Sequence, residues 1–143
     1  MTLPIFFLLV IGIIEFGWYF FVQHTMQYAT REGMRLALVG RTINGPGGQP
    51  LDRINSIIVT IKNNVAPAVD PAMVNVSIYK VDPAQNFVDP SGWQGTQDAG
   101  QRGDYMRVRS LYTHKLFTPL IGAFFSGGGI TIRAEGTYRN ESW

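Results

Sequence analysis

Between Leu3 and Val22 the chain reads LPIFFLLVIGIIEFGWYFFV, an apolar run interrupted by one carboxylate, Glu15. In helix such a run is about 30 Å long, the thickness of a bilayer's hydrocarbon core. Beyond it, Gln23–Val39 (QHTMQYATREGMRLALV) carries helix formers, no proline, and an apolar or small residue at every third or fourth position. One seam threads both stretches, through Gly12, Glu15, Tyr19, Val22, Met26, Ala29, Gly33, Leu36 and Gly40, in steps alternating 3 and 4. The spacing predicts a single helix of about 36 residues, roughly 54 Å long. Its lower half is apolar all round and calls for lipid or sister helices. Its upper half is amphipathic, with Gln23, Gln27, Arg31 and Arg35 off the seam, and calls for a domain to lean on. Small residues at Ala29, Gly33, Ala37 and Gly40 allow a close neighbour there.

The helix is expected to stop in Arg41–Pro50, RTINGPGGQP, a Gly/Pro linker with an Asn44-Gly45 turn dipeptide. Downstream, Leu51, Ile54, Ile58, Ile61 and Val65 return to helical spacing, with Asp52 placed to favour the positive end of the helix dipole. After the prolines at 67 and 71, Val74, Val76 and Ile78 alternate with Asn75, Ser77 and Tyr79, the period of a half-buried strand. A second strand follows from Met106, Val108, Ser110 and Tyr112 alternating with Arg107, Arg109, Leu111 and Thr113. A third follows from Ile130, Ile132, Ala134, Gly136 and Tyr138, with Arg133, Glu135 and Arg139 facing outward. Between the first two strands, 82–103 is a long Gly/Pro-rich loop around Trp93, and between the last two, Leu116–Phe125 (LFTPLIGAFF) reads as a short apolar helix or buried excursion. The sequence therefore predicts an α+β protein in three parts: helix 1–40, linker 41–50, and a head 51–143 with a second helix and an antiparallel sheet of about three strands. The expected core of the head is Ile54, Ile58, Ile61, Val76, Ile78, Val108, Ile130 and Ile132.

Charge sharpens the reading of the N-terminus. Of 22 charged residues in the 143-residue chain, residues 1–30 hold only Glu15. Fourteen Leu, Ile, Phe and Val within Leu3–Val22 favour insertion by roughly 4 to 8 kcal/mol, against about 3 for one central carboxylate. The run therefore inserts despite Glu15. A secretory signal peptide needs a basic start, a shorter apolar run and a small-residue cleavage site, and these are missing. The net charge of +2 is too small for a nucleic-acid binder. With no cysteine and two histidines, His24 and His114, the chain offers no thiolate chemistry and little for an imidazole metal site or a triad. Gly127-Gly128-Gly129 lacks the Lys-Ser/Thr of a phosphate loop and reads as a turn. No catalytic residue, cofactor, metal or small-molecule substrate is expected.

The run Gly12–Gly40 resembles the N-terminal helix of TadE-like minor pilins of the bacterial tight-adherence (Tad) pilus: an apolar stretch, a Glu-Phe-Gly step at Glu15-Phe16-Gly17, then Ala29-Thr30-Arg31-Glu32-Gly33-Met34-Arg35. Val108-Arg109 leading to Leu116–Leu120 with Pro119, and a closing strand with Arg133-Ala134-Glu135, fit the same pattern. The resemblance implies a pilin-like subunit in the bacterial inner membrane with an extracytoplasmic head, or in a pilus at the cell surface. Its implied partners are other pilins, a major pilin or a second minor one, together with the assembly machinery and the lipid bilayer. It also implies a basic leader ending in Gly with Glu five residues later. Gly12 stands three residues before Glu15, so a leader removed before Met1, or a member that is not processed, is expected. Arg31, Arg35 and Arg41 after the span favour a cytoplasmic C-terminus by count alone, the opposite of what the resemblance implies.

Subunit contact is accordingly expected from Gly12, Glu15, Tyr19, Val22, Met26, Ala29, Gly33 and Leu36, with Glu15 pairing to a polar or cationic group on a neighbouring subunit. Arg31, Glu32 and Arg35 form a helix motif that either meets a partner or lies on a solvated face. An alternative reading makes the helix a mere anchor and loop 82–103 a binding site. A seam continuous from the apolar run into the upper helix favours the assembly subunit, since an anchor needs no ordered upper half.

Overall fold

In the computed structural model residues 2–118, 122 and 126–141 are described. The elements run α1 (Thr2–Leu38), α2 (Arg53–Val65), β1 (Asn75–Lys80), β2 (Tyr105–Lys115) and β3 (Gly129–Arg139), with single 3-10 turns at Pro71–Met73, Pro83–Gln85 and Ser126–Gly128. The strands form one antiparallel sheet in the order β1-β2-β3, the α+β arrangement expected. Of the apolar excursion 116–125, residues 119–121 and 123–125 lie outside the described residues.

The 37-residue α1 ends because Gly40 adopts φ 65°, a left-handed conformation that glycine enters without steric cost. The Gly40 amide then donates to the Ala37 carbonyl and the Arg41 amide to that of Leu36, the paired bonds of a Schellman stop. Residues 41–50 close on themselves: the Gly45 amide donates to Gln49 and that of Leu51 to Ile43, with Asn44 bridged to Pro50. This folds α2 back beside α1. Asp52 caps α2 by accepting from the Asn55 amide at 2.7 Å. Arg53, in the first turn of α2, donates to the Ala37 carbonyl at the end of α1 and to Asn140 Oδ1 after β3, each at 2.7 Å. A cation thus meets the negative end of the α1 dipole and ties three segments together.

A single core joins the helices to the inner face of the sheet, drawing Val22, Met26, Ala29 and Ala37 from α1, Ile57, Ile61 and Val65 from α2, and Val76, Ile78, Met106, Val108, Ile132 and Ala134 from the strands. Ile57 is fully buried and absent from the core expected from sequence, whereas Ile54, Ile58 and Ile130 are only half-buried. The correction is geometric: α1 crosses α2 along the ridge 57, 61, 65, where Gly33 faces Ile57 and Ile61, so Ile54 and Ile58 flank the contact. The Thr30 hydroxyl donates to the Met26 carbonyl at 2.8 Å and lies 2.9 Å from the Ser110 hydroxyl, a buried polar link between α1 and β2.

β1 departs from the half-buried pattern. Val76, Ser77, Ile78 and Tyr79 are all buried, because loop 82–103 covers the outer face of the sheet. The loop hydrogen-bonds to β1 through the Ile78 amide to the Thr96 carbonyl (2.7 Å) and the Asp98 amide to the Ile78 carbonyl (2.9 Å).

Candidate functional site on the long helix

Two environments divide α1. From Leu3 to Phe21 its large apolar side chains are mostly exposed, Leu3, Ile5, Phe6, Phe7, Ile13 and Phe16 each by more than half. From Val22 upward one face disappears into the head. Among the described residues α1 is the one helix long and apolar enough to cross a membrane.

The residues expected to meet another subunit fall on both sides of this division. Val22, Met26 and Ala29 are fully buried by the chain's own head, and Gly33 packs under Ile61, where an added Cβ would lie 2.5 Å from the Ile61 Cγ1. Their partner is therefore intramolecular, because the stripe of small and apolar side chains is the face α2 and the sheet require. Leu36 and Tyr19 are half-buried, the Tyr19 ring standing 6.5 Å from His114. Gly12 is half-buried with no atom within 4 Å of its missing side chain.

Glu15 also turns inward. Only 2% of it is exposed, and its carboxylate accepts from the Thr118 hydroxyl at 2.7 Å and the Thr118 amide at 3.3 Å. The observed partner of this carboxylate belongs to the same chain. The reason is topological: the β2–β3 connection descends along α1 until Thr118 reaches Glu15. Above it, His114 is buried among the rings of Tyr19, Tyr112 and Phe117. Burial holds its imidazole below the usual histidine range, partly offset by the charge of Glu15.

Arg31 and Arg35 are exposed and Glu32 half-buried. Arg31 lines a shallow groove with Gln27, Arg133 and Glu135, between α1 and β3. His24 is exposed.

A charged cluster on the outer face of the sheet escaped the sequence reading. Arg109, which alternates with Val108 and Ser110 along β2, is 3% exposed. Its guanidinium pairs with Asp89 at 2.7 Å and Glu135 at 2.5 Å and lies 4.2 Å from the centre of the Trp93 ring. Asp89 also accepts from Tyr79 at 2.8 Å and Arg107 at 2.5 Å. Burial alone would raise the Asp89 carboxyl, but the hydrogen bonds from Tyr79, Arg109 and Arg107 outweigh it and hold the group below the usual carboxylate range. Burial, reinforced by the bond to Asp89, pushes the Tyr79 phenol up to about 12. Both carboxylate oxygens of Asp89 and Oε2 of Glu135 are engaged here, so the cluster is a clasp that holds loop 82–103 on the sheet. Its pairs lie 20 and 26 residues apart in sequence and meet only once register is set, with Arg109 opposite Ser77 and Glu135. The available signal was a cation at the centre of an outward strand face facing a loop with an aromatic. Among the described residues no group of three or more His, Cys, Asp and Glu is placed to hold a metal.

The family model described as "TadE-like protein" matches residues 1–35, the stretch from the exposed end of α1 through Arg31, Glu32 and Arg35. Over that stretch the chain is similar to TadE-like proteins. The match ends within α1, so the matched segment comprises the exposed apolar length and most of the face that packs on the head. No curated protein and no solved structure matches the chain.

Proposed function

We propose that this chain is a structural subunit of a bacterial Tad pilus, a minor pilin held in the inner membrane by α1 with its head on the extracytoplasmic side. It joins or initiates the filament through α1, contributes to surface adherence, and carries no catalytic role. The observation behind this reading is the coincidence of the TadE-like match with a helix whose apolar surface from Leu3 to Phe21 is left uncovered by its own head. An apolar surface of that length demands lipid before assembly and neighbouring helices within a filament. Because Val22, Met26, Ala29 and Gly33 are occupied by the head, the contacting residues are the exposed ones, Ile13, Phe16, Phe20 and Phe21 among them.

The test uses the cysteine-free background. Phe16→Cys alkylated with a benzophenone maleimide in piliated cells should give ultraviolet-dependent adducts containing a second pilin, and an epitope tag in the exposed Val88 loop should be found on filaments by immunogold labelling. Monomer alone, with label confined to the cell envelope, would point instead to a membrane-anchored module whose helix serves only as a tether.

A further inference from the structure

The connection between β2 and β3 sits at an unexpected height. Thr118 bonds to Glu15, and on α1 above Glu15 the side chains of Phe16, Trp18, Phe20 and Phe21 are still exposed and apolar. Seven residues of helix separate Glu15 from Val22, a rise of about 10 Å. Any bilayer that covers Phe20 and Phe21 therefore also engulfs Thr118. The chain is built for this: between Lys115 and Arg133 there is no charged residue, and the segment 116–125 reads LFTPLIGAFF. Phe117, adjacent to the bond, projects with 65% of its surface exposed. Lys115, also exposed, lies three residues back and next to His114, whose ring stands beside Tyr19, and its long side chain can extend from there toward the headgroups. Tyr19 and Tyr112, around the buried His114, lie at the same height, where aromatic side chains with a polar tip favour the membrane interface.

We propose that the turn at Leu116–Thr118, where the β2–β3 connection begins, is a second membrane-inserted element, immersed in hydrocarbon and docked against α1 through the Glu15–Thr118 pair. The head is thereby seated in the lipid surface rather than suspended above it. The occupant of the exposed surface at Phe117 is the acyl region of the bilayer, in continuity with the lipid-facing side of α1. Within the membrane, Glu15 and Thr118 satisfy one another, so an expensive carboxylate is accommodated without a second subunit. The inference rests on the anchoring of α1 proposed above.

Full-length protein reconstituted in phosphatidylcholine/phosphatidylglycerol vesicles, with a single environment-sensitive fluorophore on a cysteine, tests it. Probes go at Phe117→Cys, Lys115→Cys, Phe7→Cys and Val88→Cys, all exposed positions, so the label displaces no core side chain. Nitroxide quenchers are placed deep in the acyl chain or at the headgroup. The expected result is strong quenching of the Phe117 probe by the acyl quencher, comparable to the Phe7 probe. The Lys115 probe should be quenched chiefly by the headgroup quencher and the Val88 probe by neither. Quenching at Phe7 with none at Phe117 overturns the inserted turn while leaving the anchor intact. Absence of quenching at both overturns the anchoring and, with it, the inserted turn. An acyl-quenched Lys115 probe in a variant with wild-type circular dichroism also contradicts the proposed depth.

Discussion

Glu15 and Gly33 carry opposite kinds of information. The sequence exposes Glu15 as a lone carboxylate in an apolar run, so its need for a partner was legible. The partner, Thr118, lies 103 residues away and was not, because nothing local to either residue specifies how far the β2–β3 connection descends. Glu15→Ala should leave the Thr118 hydroxyl and amide unpaired and lower stability in detergent by about 1–3 kcal/mol. Thr118→Val should cost a similar amount, and the double variant less than the sum, since the two share one interaction. Thermal unfolding of the four proteins measures this, and strictly additive losses would deny the pair. At Gly33 the seam's small residue was readable as a close-approach position, and Ile61 fills the space. Gly33→Leu should push α2 away at about 1–3 kcal/mol and accelerate proteolysis in 41–50. Unchanged cleavage would mean that the α1–α2 contact is not needed to hold the linker.

Among the elements, period and punctuation made the helices and strands legible. Helix α1 begins and ends within two residues of its expected span, since a glycine capable of left-handed φ stands where the seam runs out. The strands also fall within two residues of the alternating positions. What alternation concealed was the covering of the outer face of the sheet, because a loop contributes no periodic signal. Loop 82–103 is held by a buried arginine and two carboxylates that retain some contact with water, Asp89 and Glu135. Arg109→Met should therefore release the loop at a cost of about 1–3 kcal/mol, less than for a fully buried pair. Acid should act on the same contact. Since Asp89 titrates below its ordinary value when folded, its stabilisation is present above about pH 4, the unfolded range, and is lost as pH falls through the folded value. Protection of the Gly95 and Asp98 amides against hydrogen exchange should drop in Arg109→Met and, in the wild type, on acidification below about pH 4. Protection equal to wild type in Arg109→Met would remove the clasp from the account.

At the scale of the whole molecule, one helix serves two solvents. Its lower length is bare and apolar, and its upper length supplies Val22, Met26, Ala29 and Ala37 to the core of the head. The continuous seam made this division readable in advance. Above Val22 the seam packs on the chain's own head, and a stripe of small and apolar residues looks the same in sequence whether its partner is another chain or the chain's own sheet. The most direct test compares residues 23–143 with residues 41–143 in the same mild detergent. The longer fragment should be soluble and melt cooperatively. The shorter one lacks the helix that covers Ile57, Ile61, Ile132 and Ala134, exposes apolar surface of a few hundred Å², and should aggregate or melt far lower. Equal solubility and equal melting temperature for the two would contradict the claim that the upper half of α1 belongs to the head.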